Sequence, residues 1–314
     1  MSTFEGIWVP LVTPFRQGKL DLYSAQQLAL SLSAAGVHGL VVCGTTGEAA
    51  TLNEHEQEKM LCGVTEAVQN RCPVAFGVSG SDTRAVAEKI ERLNALRPAA
   101  FLISAPSYVR PSQEGIRLHF EALAAVAESP LILYNIPART GVNIDVGTVL
   151  ALEHRANIVA IKESCGNLLQ TMELINRSDL HILCGDDAML LNTLCLGGHG
   201  AISAAAHIRP DLFVHLFELV RAEQIGPARS LFKQLLPMIQ LLFSEPNPGP
   251  VKAALAMQGQ ILDELRLPMT PMSAAGRIKL AKALEKLKTI PLAGQTAKSG
   301  RAVAGEPRML GLVK

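Results

Sequence analysis

The chain has 314 residues, 48% of them hydrophobic, enough to bury one large core or two smaller ones. A net charge of +1 gives no electrostatic reason to expect a nucleic acid or an anionic membrane as partner. The apolar runs are too short and interrupted to cross a bilayer, and Met1-Ser2-Thr3-Phe4-Glu5 lacks a basic segment followed by an apolar one, so no secretory signal is expected.

Cys43, Cys62, Cys72, Cys165, Cys184 and Cys195 form no C-x-x-C pair. Free thiols in a reducing, cytoplasmic setting are expected, rather than a disulfide frame or a zinc site. Eight strand-like apolar runs then follow in order: Ile7–Val12, Gly39–Cys43, Val74–Val78, Ala100–Ser104, Leu131–Tyr134, Ile158–Lys162, Ile182–Cys184 and Ala201–Ser203. Between them lie stretches with apolar residues at spacings of three and four, among them Ser24–Ala35, Asn53–Val68, Thr83–Leu96, Gln113–Ala127 and Asp187–Leu196. Asn53 and Ser112 stand where helix N-caps belong. Strand–helix alternation predicts parallel strands, and eight units in this length predict a (β/α)8 barrel, with a doubly wound sheet as the alternative. No G-x-G-x-x-G follows a strand, which argues against a dinucleotide fold. Asp211–Arg221 completes the eighth helix. After it only helices are predicted, about Pro227–Phe243, Pro250–Gln258 and Ser273–Leu287, with a proline-rich loop at 245–250. The expected organisation is a catalytic barrel over 1–224, a helical domain over 225–290 and a flexible tail over 291–314.

Barrels of this kind place their chemistry at the C-terminal ends of the strands. The sixth strand ends in Lys162, whose side-chain parity groups it with Ile158 and Ala160. A desolvated ammonium loses part of its proton affinity, and the neutral amine can form a Schiff base with a carbonyl. On spacing alone, the alternative is a strand-end lysine that reaches solvent. Tyr134 ends the fifth strand with the parity of Ile132 and should point inward beside Lys162, where a phenol can act as general acid and base. Gly44-Thr45-Thr46-Gly47-Glu48 after the second strand can gather backbone N–H groups and hydroxyls around a carboxylate, or form an ordinary glycine turn. Arg139, in the loop after Tyr134, can clamp a second carboxylate. Gly185-Asp186-Asp187 closes the seventh strand, where helix capping is preferred to metal binding. Ile202 near the end of the eighth strand can line the floor of the pocket.

Four motifs, Gly44-Thr45-Thr46-Gly47-Glu48, Tyr134-Asn135-Ile136-Pro137-x-Arg139-Thr140-Gly141, Ile161-Lys162-Glu163 and Gly185-Asp186-Asp187, together resemble the dihydrodipicolinate synthase family of pyruvate-dependent class I aldolases. Glu245-Pro246-Asn247-Pro248-x-Pro250-Val251-Lys252 and Leu267-Pro268-Met269-Thr270-Pro271 extend the resemblance over roughly residues 4–290. It implies an eight-stranded barrel with a C-terminal helical domain, usually assembled as a tetramer from tight dimers. It implies a pyruvate imine on Lys162, with no further cofactor, and a proton relay of Thr46, Tyr134 and Tyr108, the last reaching into a neighbouring subunit. Thr45 supports that relay, Thr46 and Gly47 contact the pyruvate carboxylate, and Arg139 binds the carboxylate of aspartate semialdehyde. Gly185 and Ile202 complete the substrate site. Ser104-Ala105-Pro106-Ser107 departs from the family's usual Thr-Pro-Tyr before the motif tyrosine. Sister aldolases acting on N-acetylneuraminate or 2-keto-3-deoxy sugar acids share the scaffold and are the alternative activity, and a binding paralogue without catalysis is the alternative of another class.

Overall fold

The computed structural model describes residues 4–291, so all but the first residue of the tail predicted over 291–314 lies outside the described residues. Eight parallel strands close into a barrel: β1 Gly6–Pro10, β2 Gly39–Val42, β3 Val74–Val78, β4 Phe101–Ser104, β5 Leu131–Asn135, β6 Ile158–Glu163, β7 His181–Cys184 and β8 Gly200–Ile202. Each strand pairs with its sequence neighbours, and β1 pairs with both β2 and β8. One helix follows each strand: α1 Leu22–Ala34, α2 Glu54–Val68, α3 Thr83–Asn94, α4 Gln113–Val126, α5 Val146–Leu152, α6 Leu168–Arg177, α7 Leu190–Cys195 and α8 Pro210–Arg221. Three more complete the described chain, α9 Ile225–Leu242, α10 Gly249–Met257 and α11 Ala274–Lys288. Among the described residues no helix is long and apolar enough to cross a membrane.

Local chemistry sets the boundaries. Asn53 and Glu56 form a reciprocal capping box at α2, and Ser112 caps α4 by accepting from the Gly115 amide. The strand predicted over Gly39–Cys43 stops one residue early because Cys43 adopts φ 55°, outside the extended region. The helix predicted over Asp187–Leu196 begins as a 3-10 turn, Asp187–Met189, before α7. The antiparallel pair Phe15–Arg16 with Lys19–Leu20, absent from the sequence reading, turns through Gln17 and Gly18, both at positive φ.

Apolar side chains separate into two layers. Trp8, Val41, Ala75, Leu102, Ile132, Tyr134, Ala160, Leu183 and Ile202 fill the barrel, one or two from each strand. A larger cluster lies between strands and helices. One expectation is corrected. Ile158 sits in the outer layer, apart from Ala160 and Lys162, because the β5–β6 register shifts: Leu131 pairs with Ile158 but Ile132 pairs with Ala160. Val159 is the extra residue of a bulge, which resets the alternation before Lys162.

The barrel seam carries a pH liability. His207, fully buried after β8, accepts the Val12 amide on Nε2 at 3.2 Å, while its Nδ1 donates to the Ala204 carbonyl at 2.8 Å. Ala204 offers only an acceptor and Val12 only a donor, so the ring must be neutral with the proton on Nδ1. Burial lowers its pKa from 6.5 to about 4. A histidine depressed in the folded state contributes nothing adverse above pH 6.5. It withdraws stability as pH falls from there toward 4, about 3 kcal/mol in all. His207→Gln, which cannot be protonated, is expected to be less stable than the parent at pH 7.5 but to lose less stability between pH 6.5 and 4 in urea titrations. Equal pH slopes for the two proteins would contradict this.

Candidate active site

The C-terminal ends of β2, β4 and β5, with two loops of the helical domain, surround a cavity of about 330 Å³. Thr45, Tyr134, Arg139 and Asn247 border it, with Glu48, Pro248 and Met269. Tyr134 and Lys162 are direct partners in the β5–β6 register, and both are buried. The Lys162 Nζ lies 4.2 Å from the centroid of the Tyr134 ring, within cation–π range. Tyr134 thus borders both the cavity and the amine. Among the described residues Lys162 has no ion-pair partner. The other lysine buried to this degree, Lys252, is paired with Glu48. Gly185 lies directly against the amine-bearing chain: a Cβ there would stand 2.7 Å from Lys162 Cε and 2.0 Å from Ser164 Oγ. Ile202 is fully buried in the barrel interior, in the cluster that contains Tyr134.

Behind the pair, on the outer face of the same strands, sits a buried carboxylate. Glu163 accepts from Asn135 Nδ2 at 3.0 and 3.1 Å, from the Cys165 amide at 2.7 Å and from Gln170 Nε2 at 3.1 Å. Asn135 also donates to Asn143 Oδ1 and accepts the Ile144 amide. The residues that follow Tyr134 and Lys162 are therefore tied together, which holds the two side chains in register.

The turn after β2 departs in part from the expected anion cradle. The Gly47 amide donates to the Gly44 carbonyl and the Glu48 amide to the Thr45 carbonyl, so both are used within the turn. The hydroxyls remain. Thr45 is half-buried and faces the cavity; Thr46 is buried and accepts from Asn247 Nδ2 at 2.9 Å. That bond commits a lone pair of Thr46 and leaves its proton to be donated onward. Asn247 lies in the Glu245–Lys252 motif, but nothing in the sequence assigns its side chain to the site. It stands 201 positions from its partner, in the C-terminal helical region, and only the fold brings the two together.

Arg139 is exposed on the single turn Pro137–Thr140 and lines the cavity mouth. Tyr108 is 91% exposed, at φ 71°. It does not border this cavity. The two aspartates after β7 part ways. Asp186 caps the following turn through the Ala188 amide, as expected of both, whereas Asp187 turns inward. Asp187 accepts from the Ala205 amide at 2.7 Å, and burial raises its pKa to about 6. Its second oxygen, Ser164 Oγ, Ser203 Oγ and Asn247 Oδ1 are buried without a hydrogen-bond partner among the described residues. They are the unused hydrogen-bonding capacity of the rim.

A model of the dihydrodipicolinate synthetase family matches residues 3–287. The chain is 42% identical over 286 residues to a 4-hydroxy-tetrahydrodipicolinate synthase of Syntrophobacter fumaroxidans, covering 90% of this chain and 98% of the relative. A protein of the same name, numbered 2, from Clostridium acetobutylicum is 40% identical over 283 residues, covering 89% and 99%. Among solved structures, a dihydrodipicolinate synthase from Thermotoga maritima superposes with a TM-score of 0.89 at 33% identity, covering 90% of this chain and 98% of that one.

Proposed function

The chain belongs to the dihydrodipicolinate synthetase family, and from that membership and the site geometry we propose that it is a lyase condensing pyruvate with L-aspartate 4-semialdehyde to 4-hydroxy-tetrahydrodipicolinate. The observation that carries the reading is the buried amine of Lys162, which forms no ion pair among the described residues and lies 4.2 Å from the Tyr134 ring centroid.

The chemistry follows from the residues in place. The Lys162 amine adds to C2 of pyruvate, and loss of water from the carbinolamine gives an imine. Loss of a C3 proton gives the enamine, the imine nitrogen acting as electron sink, so the reaction is complete without a metal or an organic cofactor. C3 then bonds to the aldehyde carbon of the semialdehyde. The amino group of that substrate attacks the imine carbon, closes the ring and expels Lys162 as a free amine. Carbinolamine formation, its dehydration, protonation of the new hydroxyl and ring closure each move a proton at a heteroatom, and enamine formation moves one at C3, which suits the Tyr134 phenol as general acid and base. Thr45 and Thr46 hold the pyruvate carboxylate, with Thr46 passing protons to Tyr134. Arg139 at the cavity mouth clamps the carboxylate of the semialdehyde.

The reading extends to assembly and location. Tyr108 completes the relay of a neighbouring subunit, in a homotetramer built from two reciprocal dimers; its exposure, at 91%, supports this. The absence of any described helix able to cross a membrane accords with a cytoplasmic enzyme.

Steady-state turnover with pyruvate plus aspartate semialdehyde should exceed that with pyruvate plus N-acetylmannosamine. Arg139→Ala should lose about 30- to 1,000-fold in kcat/KM with the semialdehyde, corresponding to about 2–4 kcal/mol for a charge-assisted bidentate contact. Preference for the sugar, or unchanged kinetics in the variant, would give the site to a sister aldolase. For the assembly, mixing inactive Lys162→Ala and inactive Tyr108→Phe subunits should restore activity, since each mixed dimer holds one intact site. No recovery after proven subunit exchange would remove Tyr108 from the relay.

A further inference from the structure

The turn that carries the two threonines is held in an unfavourable backbone shape. Cys43 and Glu48, which bracket Gly44–Gly47, lie at φ 55° and 53°, a region that residues with a Cβ seldom occupy. Gly77 on β3 makes room for it: a Cβ there would stand 2.4 Å from the Cys43 carbonyl oxygen. A shape of this kind persists only where the surroundings over-determine it.

Those surroundings are shared: Thr13 Oγ1, after β1, donates to the Gly47 carbonyl at 2.6 Å, and residues of the C-terminal helical region hold Thr46 and Glu48. Glu48 lines the cavity, but both oxygens of its carboxylate are bound elsewhere. One takes Lys252 Nζ from α10 and the other takes the Arg266 amide at 3.2 Å. Both side chains of the pair are buried, at 1% and 0% exposure. Lys252 also donates to the Glu264 carbonyl at 2.7 Å, and its Nζ lies 4.3 Å from the centroid of the Phe15 ring. The Arg266 guanidinium lies 4.4 Å from the same centroid and pairs with Glu56 in the first turn of α2. Asn247 supplies the bond to Thr46. Every one of these anchors on Thr46, Glu48 and Glu56 belongs to residues 247–266. A fully buried ion pair gives little net stability over an apolar pair of the same volume, because desolvation offsets the attraction. What it does fix is geometry.

We propose that the Glu48–Lys252 pair is a positioning device that holds the Thr45–Thr46 turn in its reactive shape, making the C-terminal helices a working part of the catalytic site. Glu48 and Lys252 touch no substrate; they act through the two hydroxyls. The proposal rests on the function given above.

The test uses the full chain with Glu48→Gln/Lys252→Met, which leaves no lone buried charge, alongside each single variant. Near-UV circular dichroism reports folding. Borohydride trapping at graded pyruvate reports the concentration that half-fills the imine, and steady-state assays give kcat. The folded double variant should need about tenfold more pyruvate for half-trapping and turn over about tenfold more slowly, with the adduct still on Lys162. Half-trapping and kcat within about twofold of the parent, whatever the melting temperature, would mean a merely structural pair and would overturn the proposal. If the double variant does not fold, Glu48→Asp, which keeps the charge but withdraws it by one methylene, is judged by the same two readouts. A parent protein that traps no pyruvate at all would refute the function itself, and the proposal with it, a result distinct from normal trapping in parent and variants alike.

Discussion

Everything at this site depends on one register. Tyr134 and Lys162 are paired residues on adjacent parallel strands, and their side chains meet inside a closed barrel. A barrel strand end is a rigid mount, since its backbone is hydrogen-bonded on both sides and its neighbours pack from every strand. The bulge at Val159 is what brings the lysine to the inner face in step with Tyr134. On the outer face Glu163 joins the segments that leave both strands, so the two side chains cannot drift apart without breaking a buried network. The buried amine is mounted on a barrel strand, while Thr45, Thr46 and Arg139 sit on the loops and turns that follow the strands.

The contrast between two buried lysines shows how the same residue type is put to opposite uses. Lys252 is enclosed by Glu48, the Glu264 carbonyl and the Phe15 ring. Its nitrogen is committed to holding Glu48 in place. Lys162 is buried to a similar degree but forms no ion pair among the described residues; its Nζ lies over the Tyr134 ring face, which attracts a cation without occupying the nitrogen lone pair of the neutral amine. An amine screened from water and left unpaired is a costly thing to keep in a fold. Its presence near the end of a barrel strand, beside a phenol that borders a cavity, is better explained by chemistry than by packing.

Most of the barrel could be read from the chain because its determinants are local. Short β-branched runs, helical spacing and the caps at Asn53 and Ser112 each act within a few residues. Lys162 and Tyr134 were legible for the same reason: both end apolar runs with inward parity. What stayed hidden depends on pairing between distant segments. The bulge at Val159 exists only relative to β5, so sequence parity wrongly grouped Ile158 with Lys162. Helices α5 and α6 went undelimited; α5 is seven residues long and almost wholly apolar, so it shows no periodicity. An aspartate after a strand usually caps the next turn; the inward turn of Asp187 is set by the Ala205 amide, on the loop after β8. Asn247 and the Glu48–Lys252 pair join positions more than 200 residues apart, and no spacing along the chain points to either contact.

The account stands or falls on which lysine carries the chemistry. Treating the protein with pyruvate and borohydride, then mapping the modified peptide by mass spectrometry, asks this directly. The expected result is a single reduced pyruvate adduct on Lys162, with Lys252 unmodified and the adduct abolished in Lys162→Ala. An adduct on Lys252 or on a surface lysine, or one that persists in Lys162→Ala, would contradict it.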